Sequence, residues 1–164
     1  MSRIYTVSYS GTLATANGDA DLFEISPADD KPIRLRGLIL GQTSEVADAA
    51  EEGLRLNIIR LGGTVTSGNG TSVTPVSLDQ NDAAAGFTAE ANGGTVATTN
   101  GTMGTVEEFA WNIRVSPLER WWPDERFAPH VKQDSAALAA LVVRCQTTPA
   151  DDITIAITAY VEEL

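Results

Sequence analysis

The stretch ITIAITAYVE (Ile153–Glu162) alternates without a break: Ile153, Ile155, Ile157, Ala159 and Val161 share one side of an extended chain, and Thr154, Ala156, Thr158 and Tyr160 the other. Successive side chains in a strand point to opposite faces, so this pattern predicts an amphipathic β-strand with its aliphatic side in a core sheet. Just upstream, Leu138–Gln146 reads as a second strand, joined to the first by a turn over Thr147–Asp152 that contains Pro149. At the other end of the chain, Arg3–Ser10 sets Tyr5, Val7 and Tyr9 against Ile4, Thr6 and Ser8, the composition of a strand. Asn17-Gly18 carries the residues that a type I′ turn needs, and predicts a hairpin joining Thr12–Ala16 to Leu22–Ser26. After a loop over Pro27–Pro32, Ile33, Leu35 and Ile39 fall on one side and Arg34 and Arg36 on the other, until Leu38 and Leu40 take over that second face. Glu45–Gly53 reads as a short helix or a folded loop, and Leu54, Leu56, Ile58 and Arg60 then resume the alternation.

Helical spacing is nowhere sustained for more than about two turns, and about eight strands can be counted. The expectation is an all-β fold: a two-sheet antiparallel sandwich, jelly-roll-like, with long Gly/Thr/Ser-rich loops and at most one short helix. The 164 residues, 43% of them apolar, suit a single domain over 1–164. Ile33, Leu35, Ile39, Leu56, Ile58, Leu141, Val143, Ile155, Ile157 and Val161 are the expected core. Gly62–Pro75 and Asn92–Thr105, both rich in Gly, Thr, Ser and Asn, are expected to be surface loops or weakly held strands at one end of the sandwich.

Charge and composition narrow the function. Eleven Lys and Arg against 22 Asp and Glu give a net charge of −11, the wrong sign for gripping a phosphate backbone, so no nucleic acid is expected as a partner. The apolar runs Leu38–Leu40 and Leu138–Val143 fall far short of the roughly 20 residues of a membrane helix, and MSRIYTVSYS carries no basic stretch followed by an apolar one. No membrane association is expected. Cys145 is the only cysteine and alternates with Val143 and Leu141, which predicts a buried thiol; His130 is the only histidine, next to Pro129 in a loop. Neither supports a relay or a zinc site.

The carboxylate pairs Asp29-Asp30, Glu51-Glu52, Glu107-Glu108, Asp151-Asp152 and Glu162-Glu163 would point to opposite faces of a strand, the wrong arrangement for a glycosidase pair. Asp19-Ala-Asp21 with Glu24 only faintly echoes a calcium loop, and the Gly-rich segments lack a phosphate-loop Lys. Asn69-Gly70-Thr71 and Asn100-Gly101-Thr102 match the glycosylation acceptor pattern but read as turns. No catalytic residue, metal site or cofactor is expected, and the chain is expected not to be an enzyme.

What stands out is Pro117–Pro129, where Trp121, Trp122 and Phe127 lie among Glu119, Arg120, Asp124, Glu125 and Arg126, and Pro123 and Pro129 oppose a central strand. The Trp pair reads as a buried plug, a carbohydrate-stacking platform or an anchor in a protein interface. The interface reading assigns Trp121, Trp122, Pro123, Phe127, Arg120 and Arg126 to a protein contact, together with Tyr5 and Tyr9 of the first strand.

Three stretches, GQTSEVADAAEEGLRLNIIR (Gly41–Arg60), DAAAGFTAEANGGT (Asp82–Thr95) and LVVRCQTTPADDITIAITAYVEEL (Leu141–Leu164), resemble segments of small Ala-, Thr- and Gly-rich β-proteins encoded in the head-gene regions of tailed bacteriophages. Such proteins are similar in kind to capsid decoration, or cement, proteins. The resemblance implies a jelly-roll homotrimer bound to the major capsid protein on the outer capsid surface of the virion, with no catalytic residues. The Trp121-Trp122 segment lies outside it. The alternative is a carbohydrate- or receptor-binding β-sandwich module of a phage tail or fibre, with Trp121, Trp122 and Tyr5 as stacking surfaces. A lyase or hydrolase on a β-sandwich lacks the His, Cys or Lys cluster it would need.

Overall fold

The strand that decides the fold lies inside a sheet, flanked on both sides over almost its whole length. A computed structural model describes residues 2–14, 18–44, 52–115, 117–133 and 138–164. In chain order its strands are β1 (Arg3–Leu13), β2 (Ala20–Ser26), β3 (Ile33–Gln42), β4 (Gly53–Leu61), β5 (Val65–Thr66), β6 (Thr71–Val73), β7 (Val76–Ser77), β8 (Thr88–Ala91), β9 (Thr98–Thr99), β10 (Met103–Asn112), β11 (Leu118–Trp121), β12 (His130–Val131), β13 (Ala140–Cys145) and β14 (Ile153–Glu163). Among the described residues there is no helix, and the helix or loop expected over Glu45–Gly53 lies mostly outside them, with Gly53 opening β4.

The first sheet has the order β11-β3-β14-β1-β7, with β12 also on β3, and the second β10-β4-β13-β2-β8-β6. All of these pairings are antiparallel. Among the eight principal strands, β1 pairs with β14, β2 with β13, β3 with β11 and β4 with β10, the nested pairing of a jelly roll. The two sheets enclose one main core, in which Trp111, Phe23, Tyr5 and the aliphatic side of β14 are buried.

The hairpin expected at Asn17-Gly18 would pair β1 with β2, and these strands do not pair; residues 15–17 lie outside the described residues. β1 pairs with β14 along its whole length to Leu13 and with β7 at Tyr5 and Thr6, while β2 belongs to the other sheet. Gly18 has φ of +63°, as the turn residues suggest, but the local signal says nothing about which strands pair. Eleven residues of register with β14 decide that.

Of the expected core residues, Ile39 is the exception. Tyr160 pairs with Gly37 and Val161 with Leu35, so Arg36 is an extra residue in β3, and a β-bulge there reverses the alternation. Ile33 and Leu35 point inward before it, Leu38 and Leu40 after it, and Ile39 falls half-exposed on the outer face. A second bulge in β2 at Leu22 brings Asp21 opposite Arg144.

Between β4 and β10, the stretches around β5 and β9 fold over the outer face of the second sheet. There Ile59, Leu61, Ala97, Ala140 and Val142 form a smaller core, with Val65 against it. Beneath it Arg144 donates to both oxygens of Asp21, Nε to Oδ1 at 2.5 Å and Nη2 to Oδ2 at 3.1 Å. Arg144 Nη2 also donates to the Ala97 carbonyl (2.8 Å), while the Ala97 amide donates to Asp21 Oδ2 (2.6 Å). This fully partnered ion pair pins one loop, and the Gly68 amide donating to Glu24 Oε2 (3.1 Å) pins the other. β5 and β9 join the two loops as a two-stranded ribbon.

Candidate interaction surface

The expected contact residues are divided by the strand alternation of β11. Leu118 points toward the core, Glu119 outward, Arg120 to the rim between the sheets and Trp121 outward. The ladder continues for one more residue, the Trp122 amide donating to the Arg36 carbonyl at 3.0 Å, which turns Trp122 inward. Pro123, with no N–H, then ends the pairing.

Trp122 is therefore a core residue, only 5% exposed. Its indole N–H donates to Glu107 Oε2 of β10 at 2.7 Å, and Glu107 also forms an ion pair with Arg120, whose guanidinium lies 5.8 Å from the Trp122 ring centroid. Together Arg120, Trp122 and Glu107 close the gap between the two edge strands. Tyr5, at 0% exposure, is likewise interior: its ring meets Phe87 edge-on at 5.5 Å and its hydroxyl donates to the Ala83 carbonyl at 2.9 Å. Tyr9 is half-buried, its hydroxyl accepting from Asn92 Nδ2 at 3.3 Å. The expectation that Trp122 and Tyr5 present a surface to a partner is thus corrected.

Trp121, Pro123, Arg126 and Phe127 are left facing solvent, Trp121 at 47% and Phe127 at 74% exposure. The Trp121 ring lies on the backbone of Gly37, where an added Cβ would sit 2.4 Å from its carbons. It packs against Tyr160 at 4.9 Å between centroids, tilted by 44°, and its N–H reaches Glu119 Oε2 at 3.4 Å. The loop beyond it is held by Asp124, which accepts from the Arg126 amide at 3.0 Å and from Arg126 Nη2 at 2.7 Å. That side-chain hydrogen bond, with the backbone one behind it, holds the Asp124 carboxyl below its ordinary pKa. Arg36 donates to the Pro123 carbonyl (2.9 Å), and Arg34 pairs with Glu125 at 2.5 Å.

This aromatic corner opens onto the outer face of the first sheet. One row across five strands reads Trp121, Gly37, Tyr160, Thr6, Val76, and the next Glu119, Ile39, Thr158, Ser8. Beyond them come Gly41, Ala156 and Ser10. Ser8 and Thr158 hydrogen-bond at 2.9 Å. Among the described residues no element packs across this face; its side chains are mostly short, and its charged groups are Glu119 at one edge and Arg34, Arg36 and Glu162 at one end. Tyr160 and Ile39 were missing from the expected surface. Tyr160 was detectable as the only aromatic on the outward side of β14, but Ile39 was hidden by the bulge.

The chemistry available elsewhere is slight. Cys145 is buried, its thiol donating to the Thr147 carbonyl at 3.1 Å, and burial pushes its pKa up, away from a reactive thiolate. Among the described residues no three His, Cys, Asp or Glu side chains come together as metal ligands. No protein-family model matches this chain, and the curated proteins hold no match to it.

Proposed function

We propose that this chain is a non-enzymatic structural protein of a tailed-phage particle, a subunit that associates as a homotrimer on the outer capsid surface and stabilises the shell by binding the major capsid protein. The observation that carries this reading is the open outer face of the first sheet with its exposed aromatic corner of Trp121, Pro123 and Phe127. A face with mostly short side chains loses little conformational entropy when covered, and an aromatic ring already seated over Gly37 needs little further ordering to dock. Trp anchors of this kind dominate protein contacts. The net charge of −11 suits a protein crowded on a particle surface, where like charge keeps particles apart. The resemblance of the three stretches above to phage head proteins points the same way.

The second reading, a glycan- or receptor-binding module of a tail or fibre, is favoured by the Trp121–Tyr160 pair, which could stack a sugar ring. Co-sedimentation with capsids that lack the protein, together with mass by light scattering, tests the first reading. Binding to shells as a trimer, lost in Trp121→Ala, supports it; a monomer that ignores shells and changes its Trp fluorescence on sugar titration replaces it with the second.

A further inference from the structure

A cleft of about 350 Å³ opens between the sheets, lined by Arg60, Leu61, Gly62, Thr102, Gly104, His130, Val131, Lys132 and Ala139. It draws on β4 and β10 of the second sheet and β12 of the first. Its floor is empty because the cross-strand neighbour of Arg60 on β10 is Gly104, where an added Cβ would meet nothing within 4 Å. Leu61, Val131 and Ala139 supply apolar wall.

The charge on this cleft is unusual for the molecule. Among the described residues, Arg3, Lys31, Arg34, Arg36, Arg55, Arg120, Arg126, Lys132 and Arg144 each pair with a carboxylate of the chain itself, and Arg114 also has a partner. Arg60 does not, although acidic residues outnumber basic ones two to one. Beside it, Lys132 has only an exposed contact to Asp30 at 3.8 Å, an interaction too weak to occupy it, and His130 is exposed. Three cationic or N–H-donating groups thus converge on one concavity whose walls are partly apolar, in a protein whose other cations are mostly satisfied internally.

We propose that this cleft binds a carboxylate, with the Arg60 guanidinium as its principal contact and Lys132 and His130 as further donors. A planar guanidinium matches a carboxylate through two parallel N–H···O bonds, and the apolar walls suit a short hydrocarbon body behind it. The carboxylate belongs either to a free small organic acid or to an acidic side chain of a docked protein; both satisfy the same chemistry. The site shares no residue with the Trp121 corner and stands whether or not the particle reading does.

The test is titration of the full chain, followed by amide NMR shifts, with succinate, with acetylated and amidated glutamate as a mimic of a protein side chain, and with neutral succinamide. Saturable shifts at residues 60–62, 102–104 and 130–132 with succinate alone assign a free acid; shifts with the capped glutamate as well assign a partner's side chain. Arg60→Gln weakens either by roughly tenfold or more. Gly104→Leu fills the floor and abolishes binding with the charges intact, its melting curve showing that it is folded. Absence of saturable binding by both acids, equal binding of succinamide, or an Arg60→Gln variant that binds as tightly as the parent overturns the assignment.

Discussion

Replacing Trp122 and Trp121 one at a time by Ala separates the two adjacent tryptophans. A Trp side chain buries on the order of 200 Å², which at ~25 cal/mol/Å² gives about 5 kcal/mol as an upper bound, since the unfolded chain already covers part of that surface. Trp122 is 5% exposed, so nearly the whole amount applies, less what Ala retains, leaving about 3–4 kcal/mol. Loss of the indole donor to Glu107 adds little, because that carboxylate keeps Arg120 and reaches water at the rim. For a domain of this length each kcal/mol shifts the melting temperature by roughly 2–4 °C. Trp122→Ala therefore melts about 10 °C lower, whereas Trp121→Ala, which gives up one ring face against Gly37 and Tyr160, loses about 1 kcal/mol and ~2–4 °C. Calorimetry on the two purified variants measures the contrast, and co-sedimentation with shells reverses it: Trp121→Ala is the one that fails to bind. Equal losses of melting temperature in the two variants, or a Trp122→Ala variant as stable as the parent, would refute the division of the pair into core and surface.

Arg144→Ala strands the Asp21 carboxylate in the interior and lowers unfolding free energy in urea by roughly 3–5 kcal/mol; a loss below about 1 kcal/mol would mean that the loops over the second sheet do not depend on this pair. Gly37→Val drives a side chain into the Trp121 ring and displaces it, so shell binding falls as in Trp121→Ala while the melting temperature changes far less than in Trp122→Ala; unchanged shell binding would detach the ring's seat from its role. Glu24 is pushed above the ordinary glutamate pKa, chiefly by burial and further by Glu90 and Asp21, against the hydrogen bonds from Gly68 and Ser67. Its folded form holds a proton more tightly than the unfolded chain does, so stability falls as pH rises from the ordinary value through the raised one. Glu24→Gln, measured by thermal melts at about pH 4 and about pH 8, matches the parent at the lower pH and exceeds it at the higher; a parent more stable than the variant at the higher pH would reverse the sign.

Much of the architecture was legible because the period of two is a local property. The aliphatic sides of β14 and β13 and the burial of Cys145 follow from residue order alone, since an extended chain with one apolar side has to bury that side. The contact site was less legible. Both tryptophans carry the same composition signal, yet one closes the core and the other lies on Gly37, a residue more than eighty positions away.

Sequence by itself determined that the chain is all-β, which side of each clear strand is apolar, and that the Pro-flanked aromatic segment cannot be a central strand. These depend on side-chain alternation and on the missing N–H of proline, which need no knowledge of neighbours. Only the tertiary structure decided that β1 and β2 belong to different sheets, that Arg36 bulges and turns Ile39 outward, that Asp21 meets Arg144 beneath a loop, and that Arg60 faces an open cleft. Each depends on register between strands distant in sequence, where a single inserted residue reverses every face that follows it, and on what covers a face once it is formed.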